Sequence, residues 1–292
     1  MKKELLCTLG PASMKSGVIK QLEGLGVALF RINLSHTKIE DVSGAIQYIQ
    51  KHSDVPICLD TEGAQVRTAN NIPKEIELFE NSFINISPDY VIGNSFELNL
   101  HPRNIVEQIE LGDFINIDFN AAMGQVVEKN QNGAVLRILN SGWISKNKAV
   151  TIRRNIILPP LTEKDINAIS IGVNMGIQHF ALSFANKASD VDLLRKIAGE
   201  GTFIISKIES LNGLENLDEI ARASDALLID RGDLSREVPI EKIPVTQKRI
   251  TERANKLGTK LYVATNLLES MVENPFPTRA EVNDIYNTLA QG

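Results

Sequence analysis

Lys207-Ile208-Glu209 sets a cation and a carboxylate two residues apart at the end of an apolar run. Residues i and i+2 of a strand share a face, so the two side chains stand one pleat apart. That pairing suits a site that holds both a metal ion and an anion. It suits equally an exposed ion pair at a strand end. Arg231-Gly232-Asp233-Leu234 follows the apolar run Ala226–Ile229. Gly232 lets the backbone approach a ligand closely, and free N–H groups after a strand can hold an anion. Asp233 would then be a second hard oxygen ligand beside Glu209. Two carboxylates completed by substrate oxygens and water suit Mg2+. The other reading is an ordinary charged turn. His36 and Thr265 are single polar residues at strand ends, where a structural role is the commoner one.

These residues need a scaffold that brings strand ends together. Leu5–Thr8, Val27–Leu34 and Val55–Leu59 read as strands. Between them, Val18, Ile19, Leu22 and Leu25, and then Ile39, Val42, Ile46 and Ile49, recur at helical spacing. Thr37-x-x-Glu40 has the form of a capping box. The same alternation returns later. Thr162-x-x-Asp165 opens a helix, His179–Phe184 is a strand, and Ser189 caps the next helix. Strands at Phe203–Ile208, Ala226–Ile229 and Lys260–Ala264 follow. Pro244 starts one helix, and Thr278-x-x-Glu281 caps the last. Strands separated by amphipathic helices make a parallel sheet. In a (β/α)8 barrel the strand C-terminal ends form the active site. Here those ends carry Arg31, Asn33, Ser35, His36, Asp60, Thr61, Ser183, Lys207, Glu209, Arg231, Gly232, Asp233 and Thr265.

The middle of the chain has no helical period. Short alternating runs such as Phe83–Ile86, Phe96–Leu100 and Phe114–Ile117 are separated by turn residues, among them Pro73 and Pro88-Asp89. Asn132-Gly133 predicts a tight hairpin between Gln125–Glu128 and Ala134–Leu139. The predicted organisation is α/β: a (β/α)8-type barrel, incomplete at seven strands, in residues 1–68 and 157–292. A small all-β domain is inserted at 69–156. An insert of ~85 residues leaves roughly 205 for a barrel that takes about 250. An open barrel has two strand edges, which tend to pair. A homo-oligomer, or a partner covering the gap, is therefore expected.

The 292 residues are 43% hydrophobic and 23% charged, which excludes collagen-like and disordered classes. The net charge of −5 argues against a nucleic-acid partner. No stretch approaches the ~20 apolar residues of a membrane span. The start is broken by Gly10 and Pro11 too early for a signal peptide. Cys7 and Cys58 lie in apolar runs and read as buried thiols in a reducing cytoplasm, with no zinc spacing.

With these residues in place, the sequence resembles the pyruvate kinase family. The matching segments run in order along the chain. They are CTLGPAS (Cys7–Ser13), FRINLSH (Phe30–His36), LDTEGAQVRT (Leu59–Thr68), LTEKD (Leu161–Asp165), SKIES (Ser206–Ser210), DRGDLSREVP (Asp230–Pro239) and VATNLLESMVENPFPTRAEVND (Val263–Asp284). The resemblance implies phosphoryl transfer from phosphoenolpyruvate to ADP, giving pyruvate and ATP. It implies that Glu209 and Asp233 hold Mg2+, that Lys207 stabilises the moving phosphoryl group and that Arg31 contacts it. Arg231 and Gly232 belong to the backbone segment for the substrate carboxylate. Thr265 is implied near the enolate carbon that is protonated, Asn33, Ser35, Asp60 and Thr61 at a K+ site, and Pro11 and His36 on the nucleotide side. Departures from the family pattern are Asp230 for alanine, Ser235 for glycine, Ala64-Gln65 for Pro-Glu, Asn266 for glutamine, and Asp118-Phe119 for the paired aspartates of the lid. Neutral Gln65 means that a K+ requirement does not follow. The family's last barrel strand and its C-terminal domain have no counterpart in the sequence. Two other functions fit the same residues: a Mg2+-dependent lyase or aldolase working through a pyruvate enolate, and a non-catalytic regulatory paralogue.

Overall fold

The computed structural model describes residues 3–63, 65–72, 74–118, 121–154 and 156–291. Pro73, Ala64 and Phe119 lie outside the described residues. The chain divides into two compact units, residues 1–64 with 159–292, and residues 65–158.

The first unit is a seven-stranded parallel sheet in sequence order. Its strands are β1 (Leu6–Thr8), β2 (Leu29–Asn33), β3 (Ile57–Asp60), β4 (His179–Leu182), β5 (Phe203–Ile208), β6 (Ala226–Asp230) and β7 (Lys260–Ala264). All seven lie where the apolar runs predict them. Helices alternate with them, from Ser16–Gly24 to Arg279–Gln291. This is the expected α/β half-barrel, with β1 and β7 as its edges. At one end of those edges Glu4 accepts from Tyr262 at 3.1 Å and pairs with Lys260.

Strand alternation builds two cores. Phe30, Ile32, Leu59, Phe180, Leu182, Ile204 and Ile229 face the helices and pack with Ile19, Ile46, Ile169 and Ile250. Leu29, Cys58, Ala181, Ile205, Ala226 and Leu228 form a separate cluster on the opposite face. Two residues further along each strand, that same face carries Arg31, Asp60, Ser183, Lys207 and Asp230. The period of two that buries an apolar layer therefore lines the C-terminal ends with charge.

Several helix starts differ in detail from the sequence patterns. Thr162 and Asp165 form the predicted capping box, and Thr278 with Glu281 makes the same reciprocal bonds. Pro244 lies in the first turn of Ile243–Leu257. Thr37 caps nothing, because its hydroxyl donates to the Asn33 carbonyl at 2.9 Å and the helix begins at Ile39. Ser189 lies inside its helix, and the Asp190 carboxylate instead accepts the N–H groups of Asn186 and Lys187.

The second unit is an eight-stranded mixed sheet with a two-stranded ribbon. Its core is Ile84, Ile86, Leu98, Ile115, Val126, Leu136 and Ile138. Its first and last strands, Val66–Thr68 and Ala149–Ile152, pair antiparallel with Val66 opposite Val150. The hairpin is present, but Gly133 pairs with Asn130, so Gln131 and Asn132 form the two-residue loop. A short helix, Ile105–Gln108, was not evident in the pattern. No helix among the described residues is long and apolar enough to cross a membrane.

Asp165 does more than cap. It is fully buried, and its carboxylate accepts the N–H groups of Glu62 (2.7 Å), Gly63 (3.1 Å) and Thr162 (3.0 Å). Gly63 has φ +73°, and a Cβ there would come within 2.7 Å of Ser183 Cβ. Asp165 therefore fixes the loop leaving β3 through contacts that only glycine permits. Asp165→Ala would strand three donors, the Gly63 N–H fully buried and the other two partly so, and is expected to cost about 3 kcal/mol. Urea unfolding followed by circular dichroism measures this. A midpoint unchanged from wild type would refute the anchoring role.

Candidate active site

The charged layer at the strand ends is centred on Lys207, which is 4% exposed. Its Nζ lies 2.8 Å from Glu209 Oε1, 3.5 Å from Asp60 Oδ2 and 3.6 Å from Asp230 Oδ2. It also donates to Ser183 Oγ at 3.0 Å. An ammonium can be buried only with such compensation. Burial would lower the Lys207 pKa, but Asp60 and Glu209 carry it above the usual lysine value.

Arg31 forms the second cationic arm. It donates to Asp60 Oδ2 from Nε at 2.8 Å and Nη2 at 2.5 Å, and to Thr8 Oγ1 at 2.8 Å. Asn33 is the register partner of Asp60, and its Oδ1 accepts from the Ser35 N–H at 2.9 Å. Thr61 Oγ1 accepts the Ser183 N–H at 2.9 Å, and its carbonyl accepts the Ser183 hydroxyl at 2.7 Å. The four residues implied at a K+ site thus lie at the adjoining ends of β2 and β3.

Glu209 is 1% exposed. Its Oε2 accepts the Phe184 N–H at 2.7 Å. Phe184 adopts φ +52°, a left-handed conformation that costs a side-chain-bearing residue about 1–2 kcal/mol. Oε1 is ion-paired with Lys207 Nζ at 2.8 Å. Burial raises the Glu209 pKa, Lys207 lowers it, and Asp230 and Asp233 raise it again, leaving it at about 7. Asp230 shows the opposite balance. Burial would raise it, but Lys207 and the Thr265 hydroxyl hold it below the ordinary carboxylate value.

Asp230 faces this cluster. Thr265 Oγ1 donates to its Oδ1 at 2.5 Å. Thr265 and Asn266 both have positive φ, 77° and 59°. For a β-branched residue that is strained backbone of the kind found at functional sites. Gly232 packs beside them, and a Cβ there would lie 2.9 Å from Thr265 Cγ2. Glu209, Asp230 and Asp233 each offer an oxygen, all within 4.8 Å of one another. As a set of hard oxygen donors they fit a small divalent cation.

The structure thus brings together Arg31, Asp60, Lys207, Glu209, Asp230, Asp233 and Thr265. The Arg231 side chain is directed elsewhere. It donates to both Asp284 oxygens (2.9 and 2.8 Å) and to the Thr265 carbonyl, clamping the last helix to β7. Pro11 and His36 are exposed in the loops after β1 and β2, with no bond to the cluster among the described residues. In the sequence Asp165 reads only as part of a helix start and Asp284 only as the end of a matched segment. Both sit inside matched segments, and the acid three residues after Thr162 was the available signal for Asp165.

The raised Glu209 pKa has a defined sign in stability. Between the ordinary value of 4.5 and about 7, the native state retains a proton that the unfolded chain has lost. Glu209 therefore lowers stability as pH rises through that window. Asp230 acts below its ordinary 3.8, where stability is lost as pH falls. In cation-free protein, the advantage of Glu209→Gln over wild type should grow from pH 4.5 to 7 and then level off. Denaturation midpoints across pH 4–8 report it, and a constant difference would contradict it.

Comparison with known proteins agrees with this geometry. The family model described as pyruvate kinase, barrel domain, matches residues 1–292. The chain is 34% identical over 303 residues to a pyruvate kinase of Bacillus licheniformis and 35% to one of Sporosarcina psychrophila. A Staphylococcus aureus pyruvate kinase is 34% identical over 302 residues. Each alignment covers 100% of this chain and 52% of the relative, so the chain spans about half the length of these relatives. The half-barrel, its charged strand ends and the full-length match lead to one assignment: the chain belongs to the pyruvate kinase family and corresponds to its barrel domain.

Proposed function

We propose that the chain transfers a phosphoryl group from phosphoenolpyruvate to ADP, forming pyruvate and ATP. The observation that carries this reading is Lys207, buried between Glu209 and Asp60 next to Arg31 in a pyruvate kinase-family barrel. The enol C–O–P linkage breaks at phosphorus, a β-phosphate oxygen of ADP forms the new bond, and the enolate carbon takes a proton. Such a reaction needs positioning and charge neutralisation more than covalent help. Lys207 and Arg31 offer two fixed positive charges, already oriented by Asp60 and Ser183, so little reorganisation is needed as charge moves. Glu209 and Asp233 would hold Mg2+, which neutralises phosphate oxygens when bound. The backbone segment at Arg231 and Gly232 would receive the substrate carboxylate, and Thr265 would lie beside the carbon to be protonated. Pro11 and His36 would flank the nucleotide. Asn33, Ser35, Asp60 and Thr61 would hold K+. We place this chemistry in the cytoplasm.

ATP formation from phosphoenolpyruvate and ADP, with Mg2+ and K+, tests the reading. Lys207→Met should lower kcat by about a thousandfold or more while calorimetry still shows Mg2+ binding. Turnover at the wild-type rate would refute the role of Lys207, and an inactive wild-type chain would refute the function.

The reading extends to assembly. Among the described residues β1 and β7 each have one neighbour in the sheet, and strand edges favour pairing. We propose that a second copy covers them. Sedimentation should give a dimer or larger species, whereas a stable monomer at micromolar concentration would exclude that.

A further inference from the structure

We propose that Asp230 is a specificity-determining residue. Together with Thr265 it presents hydrogen-bond acceptors to the third carbon of a bound α-keto acid or its enol phosphate, so that the site prefers a hydroxyl substituent there to a methyl group. This rests on the reading that places Thr265 beside that carbon. It adds a residue that the family pattern lacks, since alanine is usual at that position.

The direction of one hydrogen bond carries the inference. Asp230 ends β6 in register with Ala264 of β7, so Thr265 follows directly beside it. The Thr265 hydroxyl donates to Asp230 Oδ1 at 2.5 Å. A hydroxyl has a single proton, and here it is committed to the carboxylate. Toward any other neighbour Thr265 can only accept. A carboxylate has no donor either, and its two oxygens offer about four lone-pair sites. The Thr265 hydroxyl and the Asp233 N–H each take one, and Lys207 Nζ stands 3.6 Å from Oδ2. Acceptor capacity is therefore left over. With the family's alanine in place of Asp230, a methyl group would stand here and the Thr265 hydroxyl would be free to donate.

The corner is open to a ligand on one side, since the Asp230 side chain keeps 13% of its surface exposed and Thr265 is exposed. Gly232 bounds another side. A Cβ there would lie 2.9 Å from Thr265 Cγ2 and 3.4 Å from Asp230 Oδ1. The Thr265 methyl thus faces the Gly232 backbone, while its hydroxyl faces Asp230. Charge orients the ligand. Lys207 and Arg31 attract phosphate and enolate oxygens, and the Asp230 carboxylate repels them. The uncharged third carbon is the part of such an acid that can lie against Asp230. A methyl group there would take water from the carboxylate and return no hydrogen bond, whereas a hydroxyl would donate one.

Ligand-observed NMR titrations of the full chain with Mg2+ test the proposal without relying on turnover. They compare hydroxypyruvate with α-ketobutyrate, which differ by a hydroxyl against a methyl group of similar size, and use pyruvate as the reference. Wild type should bind hydroxypyruvate about tenfold or more tighter than α-ketobutyrate. Asp230→Ala should bring the two within about twofold of each other while still binding pyruvate, with melting curves confirming folded protein. If wild type binds pyruvate but takes the two analogues equally, the role of Asp230 is overturned and the substrate reading survives. If the preference persists in Asp230→Ala, it does not come from Asp230, and the proposal again falls alone. If wild type binds none of the three acids, the substrate reading falls with it.

Discussion

A lysine ammonium cannot be withdrawn from water unless charge and hydrogen-bond acceptors wait for it inside. At Lys207 they come from four different strands or their ends. Asp60 ends β3, Ser183 follows β4, Glu209 follows β5 and Asp230 ends β6. None of these partners is local except Glu209, so the sheet must be assembled before the lysine can be buried. The backbone bears part of the cost. Phe184 adopts a left-handed conformation while its N–H serves Glu209, and Thr265 does so while its hydroxyl serves Asp230. Strain of this kind persists only where the surroundings over-determine it.

The seven strands were legible because each is a short, mostly apolar run between helical segments. A parallel sheet buried on both faces demands that pattern. The cluster was legible as a set of residue types, since a period of two projects Lys207 and Glu209 to one face. Three things were not. The hydroxyl of Thr37 had a choice of partners, and the Asn33 carbonyl won over the helix terminus. The hairpin register was set by Gly133, whose Cβ would lie 2.1 Å from the Ile86 carbonyl oxygen of the neighbouring strand, information that no local dipeptide holds. The direction of Asp230 and Arg231 depended on distant groups. Lys207 and Thr265 draw one inward, and Asp284 draws the other toward the last helix.

Arg231 and Asp230 show how adjacent residues divide labour at a strand end. They leave the backbone in opposite senses, and both meet Thr265, one at its carbonyl and the other at its hydroxyl. Thr265 is therefore held from two sides, and its unusual φ follows from these contacts as well as from the turn after β7. A change in the last helix would reach the site through Asp284 and Arg231 without any residue of that helix touching a ligand.

The antiparallel pairing of Val66 with Val150 has a consequence for how the barrel closes. β3 and β4 are neighbours in the sheet, yet the whole of residues 65–158 comes between them in the chain. A flexible loop of that length would leave the two strands to find each other against chain entropy. The inserted unit instead joins its own first and last strands. Once it has folded, the chain leaving β3 and the chain returning to the barrel start from neighbouring points. The effective connection is then an ordinary crossover through the helix Glu163–Asn174, so folding that begins in the insert shortens the search for the strands after it.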